Sequence, residues 1–190
     1  FFIFLIRFIN QVVLVKNLSE QDVYVFGKKM DFYNRNLFET KVTSLRNKRK
    51  NKHAYQAIIR FTTAPKSMVL TNARRQASIA FNSLVAEHMR ELFSKQPKKY
   101  VYAYDNAGYY VYVFGGNRYD ILDLVAKISD DLYDIVEKNN LHLFTSPFFG
   151  IDEPKENQSV VECIENAILA RNASETNFET VTFYQASLRN

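Results

Sequence analysis

Tyr100-Val101-Tyr102-Ala103-Tyr104-Asp105-Asn106-Ala107-Gly108-Tyr109-Tyr110-Val111-Tyr112-Val113-Phe114 is the stretch that decides the fold. Aromatic and β-branched residues suit a pleated, half-buried surface. They lie on both sides of a short Asp-Asn-Ala-Gly string, in which Asn and Gly tolerate positive φ. The pattern predicts a β-hairpin with strands from Lys99 to Tyr104 and from Tyr109 to Phe114, closed by a turn over Asp105 to Gly108. Gly115-Gly116-Asn117 ends the second strand.

Helices flank the hairpin. Downstream, Ile121, Leu124, Val125, Ile128, Leu132, Ile135 and Val136 recur at helical spacing and predict a helix over Arg118 to Lys138. Upstream, Phe81, Leu84, Val85, His88, Met89 and Leu92 do the same for Arg74 to Ser94, with His88 read as a satisfied core residue. Farther out lie a helix over Asp31 to Leu45, a strand over Tyr55 to Phe61, a strand over Leu141 to Phe149, a helix over Gln158 to Asn172 and a strand over Glu179 to Tyr184. The order helix, β, α, β-hairpin, α, β, α, β fits one largely antiparallel sheet of about five strands with helices on its faces.

The 190 residues suit one α/β domain with an extension. At 47% hydrophobic and 15% aromatic, the chain can bury a full core and does not read as disordered. A net charge of +5 permits an anionic partner without demanding one. Cys163 is the lone cysteine, which excludes an intrachain disulfide and reads as a small core residue. His53, His88 and His142 are scattered, so no metal site is expected. Sequons at Asn17, Asn157 and Asn172 read as chance triplets. The basic run from Arg46 to Lys52 reads as a solvated loop.

The opening Phe1-Phe2-Ile3-Phe4-Leu5-Ile6-Arg7-Phe8-Ile9 is very apolar, yet short of the roughly 20 residues of a membrane span. Together with a first residue other than Met, it suggests a piece of a longer protein. The expected location is cytoplasmic, with a membrane-anchored parent kept open.

Four strings in this order resemble the GGDEF family of diguanylate cyclases. Tyr33-Asn34-Arg35-Asn36-Leu37-Phe38-Glu39 is similar to the end of the family's opening Leu-Thr-Gly-Leu-x-Asn-Arg-x-x-Phe motif. Ala57-Ile58-Ile59-Arg60-Phe61 resembles the strand that leads into Asp-x-Asp-x-Phe-Lys. The hairpin turn sits where the Gly-Gly-Asp-Glu-Phe signature belongs. Phe148-Phe149-Gly150-Ile151, Glu165 to Arg171 and Val181 to Tyr184 follow the closing order. The resemblance implies a nucleotide-cyclase palm-like α/β (α+β) fold. It divides the chain into an apolar extension over 1–26, a GGDEF-like domain over 27–184 and, over 185–190, the start of a linker to an EAL phosphodiesterase domain.

The same alignment implies a loss of chemistry. Cyclases of this family hold two divalent cations with carboxylates, which neutralise charge developing on the transferred phosphates. Here the metal-binding acids fall at Thr62 and Ala64, and the motif's lysine falls at Ser67. The signature becomes Asp105-Asn106-Ala107-Gly108-Tyr109, with no carboxylate at either acidic position. The guanine-reading positions fall near Leu70 and Ile79, and the inhibitory Arg-x-x-Asp is replaced by Gln96-Pro97-Lys98-Lys99. No catalytic residue, metal ligand or cofactor is therefore expected, and neither GTP nor nucleic acid is an expected partner. The implied role is a regulatory or scaffolding domain in cyclic di-GMP signalling, with the EAL domain of the parent chain as partner and a homodimer kept open. The alternative is a nucleic-acid-binding module that stacks bases on the hairpin tyrosines. Another enzyme chemistry lacks support, because Asp130-Asp131 and Asp152-Glu153 read as a solvated helix face and a loop.

Overall fold

The computed structural model describes residues 23–25, 28–30, 32–48, 53–63, 72–105, 108–141, 143 and 145–189. The chain folds as β1 (Val23–Val25), β2 (Lys28–Met30), α1 (Arg35–Arg46), β3 (Gln56–Thr62), α2 (Asn72–Ser94), β4 (Tyr100–Asp105), β5 (Gly108–Phe114), α3 (Arg118–Lys138), β6 (Phe148–Asp152), α4 (Val160–Asn177), β7 (Val181–Phe183) and a 3₁₀ turn (Ala186–Arg189). β1 and β2 form a small antiparallel pair. The main sheet has the order β4-β5-β3-β6-β7. Its pairs are antiparallel except β6 with β7, where α4 is the crossover that a parallel pair requires.

Alternation along the strands gives the sheet two faces. Ala57, Ile59, Phe61, Tyr109, Val111, Val113, Phe149 and Ile151 point to α2 and α3, where they meet Phe81, Val85, Met89, Phe93, Ile121, Val125, Ile128 and Leu132. Phe61 stacks between Tyr109 at 4.9 Å and Phe149 at 5.1 Å. Ile58, Arg60, Tyr110 and Tyr112 point to α1 and α4. Tyr109, Tyr110 and Tyr112 are buried, and Tyr102 packs on Phe32 and Phe93. A sheet covered by helices on both sides offers no open platform for stacking bases, which removes the nucleic-acid reading of the hairpin.

Local chemistry sets the ends of the elements. α3 runs over the expected residues because Asn117 and Asp120 form a reciprocal capping box, with Gly115 and Gly116 at positive φ before it. The other boundaries move. α1 begins at Arg35 because the Asn34 side chain accepts from the Leu37 amide at 2.9 Å. β6 begins at Phe148 and not at Leu141. β3 ends at Thr62, which pairs with Phe148, and Pro147 has no N–H to extend a ladder. α4 continues to Asn177, since Ser174 is buried and donates to the Glu179 carbonyl at 2.6 Å. Gly150 lets α4 cross β6 closely: a Cβ there would lie 2.0 Å from the Arg171 backbone nitrogen.

Four sequence readings change, the first being that Asp152 is the buried last residue of β6 and not part of a loop. Asp131 is not a solvated acid: it ties α3 to α2 by bonding His88 Nε2 at 2.7 Å, with Lys127 on the same carboxylate. His88 is satisfied, but it sits partly exposed at that seam and not in the core. Arg46, the first residue of the basic run, donates to the carbonyls of Gln158 and Lys155 and so ties α1 to the loop before α4. The rest of the run beyond Lys48, like Phe1 to Ile9, Asn17 and His142, lies outside the described residues. Among the described residues no helix is long and apolar enough to cross a membrane.

Candidate functional site

The register brings the β3 string against the hairpin on one side and against Phe148–Ile151 on the other. Phe61 pairs with Tyr109, and Asp105 pairs with Gly108, so the end of β3 meets the end of the hairpin. Gly108 has φ +137, and a Cβ there would stand 2.3 Å from the Phe61 carbonyl oxygen and 2.9 Å from Thr62 Cγ2. Only glycine fits this approach. Thr62, Asp105, Gly108 and Tyr109 thus share one site. Ile79 lies half-buried on α2. Ala64, Leu70, Asn106 and Ala107 fall outside the described residues.

Arginines organise this site. Arg60 projects from the centre of β3 and is only 4% exposed. Its Nη2 lies 3.2 Å from Asp105 Oδ1, and its guanidinium stacks 4.2 Å above the Tyr110 ring. The Tyr110 hydroxyl donates to Asp105 Oδ2 at 2.7 Å, so both carboxylate oxygens are engaged. Burial pushes the Tyr110 phenol up to about 12, against the pull of Arg60. On the other side of the strand end, Arg171 of α4 donates from Nη2 to Thr62 Oγ1 at 2.6 Å. It also pairs with Glu175 at 2.7 Å. Burial holds Arg171 below its ordinary value; Glu175 opposes that shift and the charge of Arg60 adds to it. Arg35 pairs with Glu39 at 2.9 Å; the Glu39 bond and the fields of Tyr110 and Asp105 raise it, although burial opposes the shift.

Charge balance follows from these contacts. Arg60 answers Asp105, Arg171 answers Glu175, and Arg35 answers Glu39. A divalent-cation site needs surplus carboxylate oxygen close to the phosphates. Thr62, at the end of β3, offers a hydroxyl that accepts from a guanidinium. The sequence reading missed Arg60, Arg171, Glu39 and Glu175 as a group. One signal was present: an arginine inside the apolar run Ile58-Ile59-Arg60-Phe61 must be paired if that strand is central.

A sheet of this order, with the hairpin turn against the end of the central strand, has counterparts among solved structures. The chain superposes on the GGDEF domain of DgcB from Caulobacter crescentus, in complex with c-di-GMP, with a TM-score of 0.61 over 81% of this chain and 89% of that one. The chain has the GGDEF fold. Identity to DgcB is 14%. The GGDEF domains of TpbB (YfiN) and FimX, both from Pseudomonas aeruginosa, give TM-scores of 0.55 and 0.53 at 11% and 13% identity. They are covered over 92% and 99% of their lengths, by 82% and 86% of this chain. No family model and no curated protein matches the sequence. The GGDEF likeness therefore lies in the backbone and the order of elements.

Proposed function

We propose that this GGDEF-fold chain is catalytically silent and serves as a regulatory or scaffolding domain in cyclic di-GMP signalling. Its partner is an EAL phosphodiesterase domain in the same parent protein. The observation that carries this reading is the Arg171 guanidinium on Thr62 Oγ1 at 2.6 Å. The resemblance places a metal carboxylate at Thr62, and a fixed cation now occupies its surroundings. Arg60 neutralises Asp105, the one acid left in the described part of the turn. Without carboxylates to hold metal ions, charge on a transferred phosphate goes unanswered, which costs orders of magnitude in rate. Arg60 ties β3 to the end of β4 through Asp105, and Arg171 ties the end of β3 to the helix layer through Thr62.

Incubation of the purified domain with GTP and magnesium tests the silent reading, with chromatography of the products. Unchanged GTP is the expected result, and accumulation of cyclic di-GMP overturns it. Calorimetric titration with GTP plus magnesium and with cyclic di-GMP separates the roles. No heat with either supports a structural, partner-directed domain. Micromolar GTP binding instead makes the domain a nucleotide sensor.

A further inference from the structure

The open end of the hairpin, opposite the signature turn, carries a groove of about 400 Å³. Leu45 of α1, Pro97, Val101 and Phe114 give it an apolar floor. Its cations are Lys48, Lys98 and Lys99, and no carboxylate lines it. Two segments far apart in sequence supply these lysines. Past the end of α1, the Lys48 amide turns back onto the Leu45 carbonyl at 3.3 Å. Past the end of α2, the amides of Lys99 and Tyr100 both donate to the Gln96 carbonyl, at 2.9 and 3.1 Å. The Phe114 amide donates to the Lys99 carbonyl at 2.9 Å. The backbone beneath Lys98 and Lys99 is therefore held in place.

Lys48, Lys98 and the neighbouring Lys95 are exposed, and Lys99 is half-buried. None of these four has a carboxylate partner among the described residues. Lys127 and Lys138, by contrast, each bond an aspartate one helical turn away. Like charges gathered without counter-charge favour an anionic partner. The apolar floor between them selects among anions. A nucleic-acid backbone presents phosphates with no hydrocarbon behind them, whereas a lipid headgroup presents its phosphate directly over an acyl layer. The sequence carries a second feature of that kind, since eight of the nine residues from Phe1 to Ile9 are apolar. Stable attachment to a membrane surface takes two signals, and an apolar segment with a basic patch is one such combination.

We propose that this face binds the surface of an anionic phospholipid membrane. Lys48, Lys95, Lys98 and Lys99 meet headgroup phosphates, and the groove admits the upper end of an acyl chain. The length of β4 separates this face from the signature turn, so the proposal does not depend on whether that turn is silent.

Flotation of the full chain with lipid vesicles tests this. The chain should float with phosphatidylcholine vesicles that contain phosphatidylserine, and far less with phosphatidylcholine alone. Added salt should release it by screening the headgroup charge. Lys48→Gln combined with Lys98→Gln removes two exposed ammonium groups and leaves the melting temperature unchanged. Each lysine lost should lower the partition coefficient about fivefold, and the pair about 25-fold. Lys138→Gln, at the far end of α3, removes the same charge away from this face and should leave partition as it is. Equal flotation with neutral and anionic vesicles overturns the proposal, as does flotation with neither. Wild-type partition in the double lysine variant does so too. Binding of a single-stranded RNA more tightly than the anionic vesicles, through the same lysines, would make the face a nucleic-acid surface and overturn the membrane assignment.

Discussion

The two faces of the sheet are built on the same alternating pattern but hold different chemistry. Under α2 and α3 the buried residues of the strands are hydrocarbon or aromatic. Under α1 and α4 the same strands bury Arg60 and Asp152, with Asn166 on the helix above them. Hydrophobic burial is non-directional and survives extensive substitution of one apolar residue by another. Buried polar groups require particular partners. The apolar face therefore tolerates exchange among apolar residues, while the polar face depends on particular partners.

The comparison breaks most completely where the two layers touch without a side chain between them. Gly150→Ala places a Cβ within 2.1 Å of two backbone atoms of α4, and neither can swing aside as a side-chain tip can. We expect the variant to fail to fold, read as loss of the near-ultraviolet circular dichroism. A cooperative melt near that of the wild type would show that α4 does not rest on β6. Phe61→Ala attacks the apolar face alone. It removes the middle ring of the Tyr109–Phe61–Phe149 stack and costs about 3–5 kcal/mol in urea denaturation. A loss under about 1 kcal/mol would mean that this face is not the one that holds the fold.

The polar face is sharpened by a cycle. Asp105→Ala leaves the Arg60 guanidinium buried with its carboxylate gone, and the expected loss is about 2 kcal/mol, reduced from that of a fully buried pair because Asp105 is 31% exposed. Arg60→Met fills the same space without a charge. In the double variant most of the stability returns, since an apolar replacement of an ion pair is often neutral. Purely additive losses would instead mean that the two residues act separately.

What could be read from the sequence divides along the same line. The hairpin, the order of elements and the extent of α3 follow from periodicity and capping, which are local. Three features were not legible. The start of β6 depends on where its partner β3 stops, and the local hint, Pro147, does not by itself say on which side of it the strand lies. The last turn of α4 is held by Ser174 reaching the Glu179 carbonyl, a contact made only after the chain reverses. The arginine pairs join residues 45 and 109 positions apart, Arg60 with Asp105 and Thr62 with Arg171. Arg60 alone signals that it needs a partner, but nothing local says that the partner is Asp105.

The smallest effect tests a polar clip at the seam between α2 and α3. Asp131 joins α3 to His88 of α2 and to Lys127. Burial opposes its ionisation, but the bonds from Lys127 and His88 prevail and hold the carboxyl below the usual aspartate value. A carboxyl lowered in the folded state contributes stability above its unfolded value and loses it as pH falls through the folded one. Asp131→Asn therefore costs about 0.5 kcal/mol at neutral pH, in keeping with a partly exposed pair. The gap to the wild type should stay constant down to about pH 4 and close below it. Denaturation curves at several pH values measure this directly. A gap that persists in acid would mean that the carboxamide disturbs the packing of α2 on α3. The boundary between the two faces would then run through the helix seam as well as through the sheet.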